Sequence, residues 1–214
     1  MNTNKGGVAV KKYMRIIFGV LLILTLVIML SGCTKTEEKE TEEKKEEKTE
    51  STTETKEAEF EVTSTAFDND SDIPVKYAYS DVAGGENVSI PLAWKNAPEG
   101  TKSFAITMVD TNESANNFLH WLVINIPPET ASIEEGASGK NMPNSATEAK
   151  NGYGTEGYGG PAPPPGDEHD YEITIYALDI AGMGMSENAG LDQFTSFVEG
   201  KVLGKATISG EFSR

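Results

Sequence analysis

Asp110, His120, His169 and Tyr171 are the residues whose types and surroundings could do chemistry. Asp110 closes the apolar run Phe104 to Val109, where a strand would meet a loop. His120 is embedded in Phe118-Leu119-His120-Trp121-Leu122-Val123, and His169 and Tyr171 flank Asp170 at the head of another alternating stretch. Before them runs Gly157-Tyr158-Gly159-Gly160-Pro161-Ala162-Pro163-Pro164-Pro165-Gly166, a rigid and bare loop. Gly159 and Gly160 would let a ligand approach the backbone and lend their N–H groups as donors. Pro161 and the prolines after it would hold that wall without loss of rotamer entropy. A carboxylate, two imidazoles and a phenol beside such a loop suit a small phosphoryl group or another anion. The acid would orient a histidine or accept a ligand ammonium. Spacing alone leaves a second reading open. A histidine in an apolar strand is also a satisfied core residue, Gly-Gly-Pro is also a turn, and an Asp at a strand end is also a turn former.

The elements that must position these groups lie in residues 60–214. Phe60-Glu61-Val62-Thr63-Ser64 alternates, Ser103 to Asp110 and Phe118 to Ile126 are apolar runs, and Tyr171 to Leu178 alternates again. Short strands bounded by Gly, Pro and Asn clusters predict a mainly β domain with an antiparallel sheet. One helix is expected, from Asp192 to Leu203, with Asp192 as N-cap and Phe194, Phe197, Val198 and Val202 on one face. Alternation puts His169 and Tyr171 on one face of their strand and Asp170 on the other.

Composition removes several functions. Among 214 residues, 18 Lys and Arg stand against 34 Asp and Glu, a net charge of -16. Nucleic-acid binding is excluded on that balance, because phosphate backbones are held by clustered cations. One cysteine permits neither an internal disulfide nor a Cys-rich metal site, and two histidines do not make a metal cage. No cofactor or metal is called for.

Residues 1–32 read as a leader. Lys5, Lys11, Lys12 and Arg15 precede an apolar run from Ile16 to Leu30. As a helix this run rises about 22 Å, short of the roughly 30 Å hydrocarbon core, so it reads as a signal-peptide segment. It ends in Leu30-Ser31-Gly32-Cys33, which resembles a bacterial lipobox, in which the Cys thiol takes a diacylglycerol and becomes the mature N-terminus. Residues 33–59 are then the lipidated Cys33 and a Glu/Lys/Thr-rich tether with nothing to bury, expected to be disordered. The predicted location is the extracytoplasmic face of the cell membrane, held by lipid.

Further motifs occur in a telling order. Asn87-Val88-Ser89-Ile90-Pro91-Leu92-Ala93-Trp94 is followed by Val109-Asp110 and His120-Trp121. Asn125-Ile126-Pro127, the Gly157 to Gly166 loop, His169-x-Tyr171, Tyr176-Ala177-Leu178-Asp179 and Gly210-Glu211-Phe212-Ser213-Arg214 come next. Together they resemble the phosphatidylethanolamine-binding protein family in its bacterial Raf-kinase-inhibitor-like branch, across essentially all of 60–214. The resemblance implies a β-sandwich with a large antiparallel sheet, few helices and a pocket for phosphate or a phosphorylethanolamine headgroup. It carries the pocket carboxylate to Asp110, the two histidines to His120 and His169, the tyrosine to Tyr171, and the wall to Gly160-Pro161. Three positions depart from the family pattern: Asp-Pro-Asp is Asp110-Thr111-Asn112, the loop Cys is Ala162, and His-Arg-Tyr is His169-Asp170-Tyr171.

The expected function is a non-catalytic, membrane-tethered protein binding a small anion or phosphorylated headgroup. The alternative is a regulatory module that inhibits a kinase or protease through protein contacts. A protein partner and a homodimer are both left open. A hydrolase is disfavoured, since no Gly-x-Ser-x-Gly elbow exists and the second acid a metal site would want is Asn112. Replacing Cys33 (Cys33→Ala) is expected to abolish fatty-acid labelling and leave the precursor unprocessed by the lipoprotein route. A wild-type protein that takes up no labelled lipid overturns the leader reading.

Overall fold

Hydrophobic period two governs the architecture. The computed structural model describes residues 58–214; the leader, Cys33 and the tether up to residue 57 lie outside the described residues. Among the described residues the order is β1 (Glu61–Thr63), β2 (Ser71–Asp72), β3 (Leu92–Lys95), β4 (Ser103–Asp110), β5 (Phe118–Ile126), β6 (Ser132–Ile133), β7 (Thr147–Glu148), β8 (Glu168–Leu178), α1 (Leu191–Val198) and β9 (Val202–Ser213). Six strands form one sheet in the order β2-β9-β8-β4-β5-β7, and β1, β3 and β6 form a second. All pairings are antiparallel except β2 with β9. The mainly β expectation holds, with that one parallel edge pair added. No helix of the described residues is long and apolar enough to cross a membrane.

Central β4 is buried along its whole length, which is why it reads as an unbroken apolar run. Its alternate residues serve two cores. Phe104, Ile106 and Met108 pack with Trp94 of the small sheet and with Ile173 and Ile175 of β8. Ala105 and Val109 face the other way, toward Tyr176, Phe194 and Val198, so α1 covers that face. The two layers hold the ends of β4, β5 and β8 in fixed relation, and the chemistry-bearing residues sit at those ends.

Two expectations are corrected. The helix stops at Val198, and Val202 and Leu203 belong to β9. Glu199 leaves helical geometry and Gly200 takes a positive φ of 73°, a reversal that ends the helix. Asp192 lies inside the first turn; Gly190 occupies the N-cap position without a side-chain cap. Strand β9 was not foreseen, because only a third of it is buried and its inward positions include Ala206 and Gly210. Gly210 is small for a packing reason: a Cβ there would lie 2.7 Å from Ile73 and Phe67.

Edge strand β7 carries a buried carboxylate that ties three segments together. Glu148 accepts hydrogen bonds from Trp121 Nε1 (2.7 Å), Ser138 Oγ (2.6 Å) and the Gly139 N–H (2.7 Å). Ser138 Oγ in turn accepts the Tyr158 N–H at 2.9 Å, just before the glycine loop. Removing the acceptor strands donors, each at a cost of about 1–3 kcal/mol. The variant Glu148→Ala is expected to lose about 3 kcal/mol or more in urea unfolding. A loss under about 1 kcal/mol would show that the donors find other partners.

Candidate functional site

A β-bulge aims the first imidazole. Along β4 and β5 the pairing steps from Met108 with Trp121 directly to Val109 with Leu119, so His120 is the extra, unpaired residue. The packing shows the same break: Trp121 joins the core under the small sheet, whereas Leu119, of the same parity, joins the core under α1. A bulge redirects a side chain at the cost of one ladder position. His120 thereby points to the open end of the sheet, where Asp110 ends β4 and His169 is the second residue of β8.

His169 Nδ1 lies 2.7 Å from Asp110 Oδ2, and both residues are 4% exposed. The other carboxylate oxygen accepts the Asn112 N–H at 3.0 Å. Asn112 caps the turn Glu113–Ala115 through Ser114 N–H, and this turn carries Ser114 Oγ to 3.4 Å from His169 Nε2. His120 Nδ1 donates to the Gly159 carbonyl at 2.7 Å. Both rings border a cleft of about 310 Å³ whose remaining wall includes Phe118, Tyr153, Ala162, Pro163 and Pro164. A larger open groove of about 540 Å³, beside Asn116, Lys150 and Asp192, has no imidazole in its lining.

Asp110, His120 and His169 are thus brought together, whereas the other four expected residues stand behind the cleft. The expected backbone donors are already used. The Gly159 N–H donates to His120 O at 2.9 Å and the Gly160 N–H to Asn87 Oδ1 at 2.7 Å. These glycines act by close packing instead: a Cβ on Gly160 would sit 2.0 Å from Tyr77 O, and one on Gly159 2.6 Å from the Tyr153 ring. Pro161 is buried, and its carbonyl accepts Tyr79 N–H. Tyr171 is fully buried on the same face as His169, with its ring 5.1 Å from that of His120 and its hydroxyl without a hydrogen-bond partner. Asp170 is exposed on the opposite face, as alternation requires.

Burial pushes the His120 imidazole below its ordinary range; the Gly159 carbonyl and the Asp110 charge only partly offset this. Burial likewise raises the Tyr171 phenol, with Asp110 adding to it, and raises that of Tyr153. Since a carbonyl can only accept, the Nδ1 of His120 carries the proton, and neutral His120 presents a lone pair on Nε2. Ser114, His169 and Asp110 have the residue types of a hydrolytic relay, but the parts are not set for one. Ser114 Oγ lies closer to Asn112 Oδ1, at 2.8 Å, and the N–H groups of Ser114 and Ala115 are both spent on Asn112. Among the described residues no group of three or more His, Cys, Asp or Glu could hold a metal ion.

Sequence reasoning missed Ser114, Tyr153 and Asn87 as parts of the site. Ser114 and Tyr153 lie in polar, turn-forming stretches without periodicity. Tyr153 stacks on Tyr79 at 4.1 Å and meets Phe118 edge-on, an aromatic corner assembled from three separate loops and strand ends. Asn87 had a signal in its motif, and its left-handed φ of 53° is one that Asn tolerates.

The fold is a two-layer β domain with a carboxylate, two buried imidazoles and an aromatic corner at its strand ends. The chain matches the family model described as phosphatidylethanolamine-binding protein over residues 63–213. It is 33% identical to a UPF0098 protein of Aquifex aeolicus over 158 residues, covering 73% of this chain and 90% of that one. It is 30% identical over 155 residues to a candidate lipoprotein, LppC, of Mycobacterium tuberculosis, covering 71% of each. The crystal structure of Escherichia coli YbcL, described as a new member of the mammalian PEBP family, superposes with a TM-score of 0.69 at 29% identity. It covers 73% of this chain and 99% of that one. The chain belongs to the phosphatidylethanolamine-binding protein family.

A depressed His120 sets a sign for stability against pH. The unfolded imidazole, near 6.5, takes its proton before the folded one does, so stability contributed above that pH is lost as pH falls through the folded value. Thermal midpoints between pH 7.5 and 5 are expected to fall less steeply in His120→Asn than in wild type. Asn retains a donor for the Gly159 carbonyl and has no proton to gain. Parallel slopes would show that His120 does not carry this dependence.

Proposed function

We propose that this protein is a lipid-tethered, extracytoplasmic binding protein whose cleft at Asp110, His120 and His169 takes a small phosphoryl anion. The observation that carries the reading is the convergence of two buried imidazoles on one cleft, each fixed through Nδ1. A ring held that way offers Nε2 to a ligand in a set direction. The tether rests on the leader, the lipobox-like Cys33 and the likeness to LppC. The surrounding domain is strongly acidic, so affinity for an anion depends on local groups against an unfavourable field.

Calorimetric titration of the full chain in detergent with inorganic phosphate near pH 6 tests this. Binding is expected, and His169→Ala is expected to weaken it about ten-fold or more at any salt, as for the loss of a hydrogen bond to a charged group. Asp170→Arg, on the opposite face, is expected to tighten it only about two- to five-fold at low salt, fading as salt rises. No phosphate binding at millimolar concentration overturns the proposal. A larger, salt-insensitive effect from Asp170 would move the site to the other face.

A further inference from the structure

We propose that the cleft selects phosphoryl ligands that bring their own proton: it takes the monoanion of a phosphomonoester, –OPO3H⁻, and discriminates against diesters and sulfate esters. The inference rests on the reading that the cleft binds a phosphoryl anion and names which kind.

The argument is one of hydrogen-bond direction. Both Nδ1 atoms face acceptors that cannot donate: the Gly159 carbonyl for His120, and the Asp110 carboxylate for His169. Both Nδ1 positions therefore hold protons, and each neutral ring shows the cleft a lone pair at Nε2. A fully deprotonated oxyanion would meet lone pairs there, with the Asp110 charge behind them. The glycine N–H groups that could have compensated are committed to His120 O and Asn87 Oδ1. The Ser114 hydroxyl is held by Asn112 Oδ1, so what remains to donate is His169 Nε2 when it carries a second proton, whose charge Asp110 then balances. His120 has no carboxylate of its own and is the more costly ring to charge. A ligand with one P–OH and two oxygens that share a single negative charge fits this set. Its hydroxyl donates to His120 Nε2, and an oxygen accepts from the protonated His169 Nε2.

The charged and titratable groups around His120 are Asp110 from β4, His169 and Tyr171 from β8, and Tyr153 from the loop after β7. None of them other than His169 can become a cation. Burial lowers the His120 imidazole below its ordinary value, which favours its neutral form where a phosphomonoester changes charge, near pH 6. The lipid-linked form of a headgroup is a diester without an acidic proton, so the selection separates a free monoester from an intact phospholipid.

Methyl phosphate and methyl sulfate provide the test. Near pH 5.5 both are tetrahedral monoanions of nearly the same size, and only the phosphate has a proton to give. Calorimetry on the full chain in detergent is expected to show methyl phosphate binding about ten-fold or more tightly than methyl sulfate at pH 5.5. The preference is expected to shrink toward pH 8 as the ester loses its proton. Replacing His120 by Gln, which can donate as well as accept, is expected to bring the two ligands within about three-fold. Phosphorylethanolamine and inorganic phosphate, both protonated near pH 5.5, are expected to bind better than glycerophosphorylethanolamine. The tighter of the first two identifies whether the source is a headgroup ester or free phosphate. Equal binding of methyl phosphate and methyl sulfate by wild type overturns proton selection while leaving the anion cleft standing. Tight binding of the glycerol diester does the same. No binding by any of these ligands at either pH removes the anion cleft itself.

Discussion

Asp110 and His169 are two ionisable side chains buried within 2.7 Å of each other, and that hydrogen bond constrains everything around it. A buried carboxylate without a partner costs several kcal/mol, so the fold has to deliver His169 to Asp110 to within a few tenths of an ångström. Delivery requires the register that pairs Asp110 with Tyr171, which places His169 just past the end of β4. That register requires β4 and β8 to present Phe104, Ile106, Met108, Ile173 and Ile175 to one core. The pair thus acts as a register check at the end of a sheet whose hydrophobic faces have already fixed the alignment. The second oxygen of Asp110 starts the Asn112 turn, so the same carboxylate also shapes the cleft rim.

His120 reaches the site by breaking the rule that delivers the other two. A regular strand would put it in step with Phe118 and Leu122; the bulge instead turns it beside Asp110 and leaves Leu119 to fill the opposite core. Its orientation is then secured from outside the sheet. Gly159 accepts from its Nδ1 and donates to its own carbonyl, a two-point clasp between loop and bulge. The loop can approach so closely because glycine has no Cβ, and it is pinned by Asn87 on one side and, through Ser138, by Glu148 on the other.

Much of this was legible in the sequence, and what was not has common physical causes. The bounds of β4 and β5 follow from uninterrupted apolar runs, because burial on both faces leaves no polar positions to confuse the reading. The shared face of His169 and Tyr171 follows from alternation. Strand β9 escaped because an outer strand with glycines at packed positions has weak alternation, and its first residues continue the apolar pattern of α1. Asp110, His120 and His169 were legible as residues, yet the direction of their hydrogen bonds was not. Gly159 and Gly160 look like free donors in a bare loop; only the fold shows that Asn87, 73 residues away, and the His120 carbonyl have taken them.

Charge completes the logic. Residues 60–214 hold eight Lys and Arg against 23 Asp and Glu, and β8 divides the consequences between its two faces. On the exposed face Asp170 stands opposite Glu211, and Glu168 is near enough that the Glu211 carboxyl is held above its ordinary range, with Glu168 the largest cause. On the cleft face the same strand offers a histidine and a buried phenol. Like charges facing each other across strands cost stability, so the outer face tolerates repulsion that water and salt can screen. The cleft face cannot rely on that screening, because its groups are buried and interact in a less polar medium. It therefore holds one carboxylate, pairs it with one ring by a hydrogen bond, and buries the second ring where charging it is disfavoured. An acidic domain can admit an anion at such a place only by lowering the charge the anion brings or by adding a proton between them. On the proposed reading both amount to one shared hydrogen at Nε2 of His120.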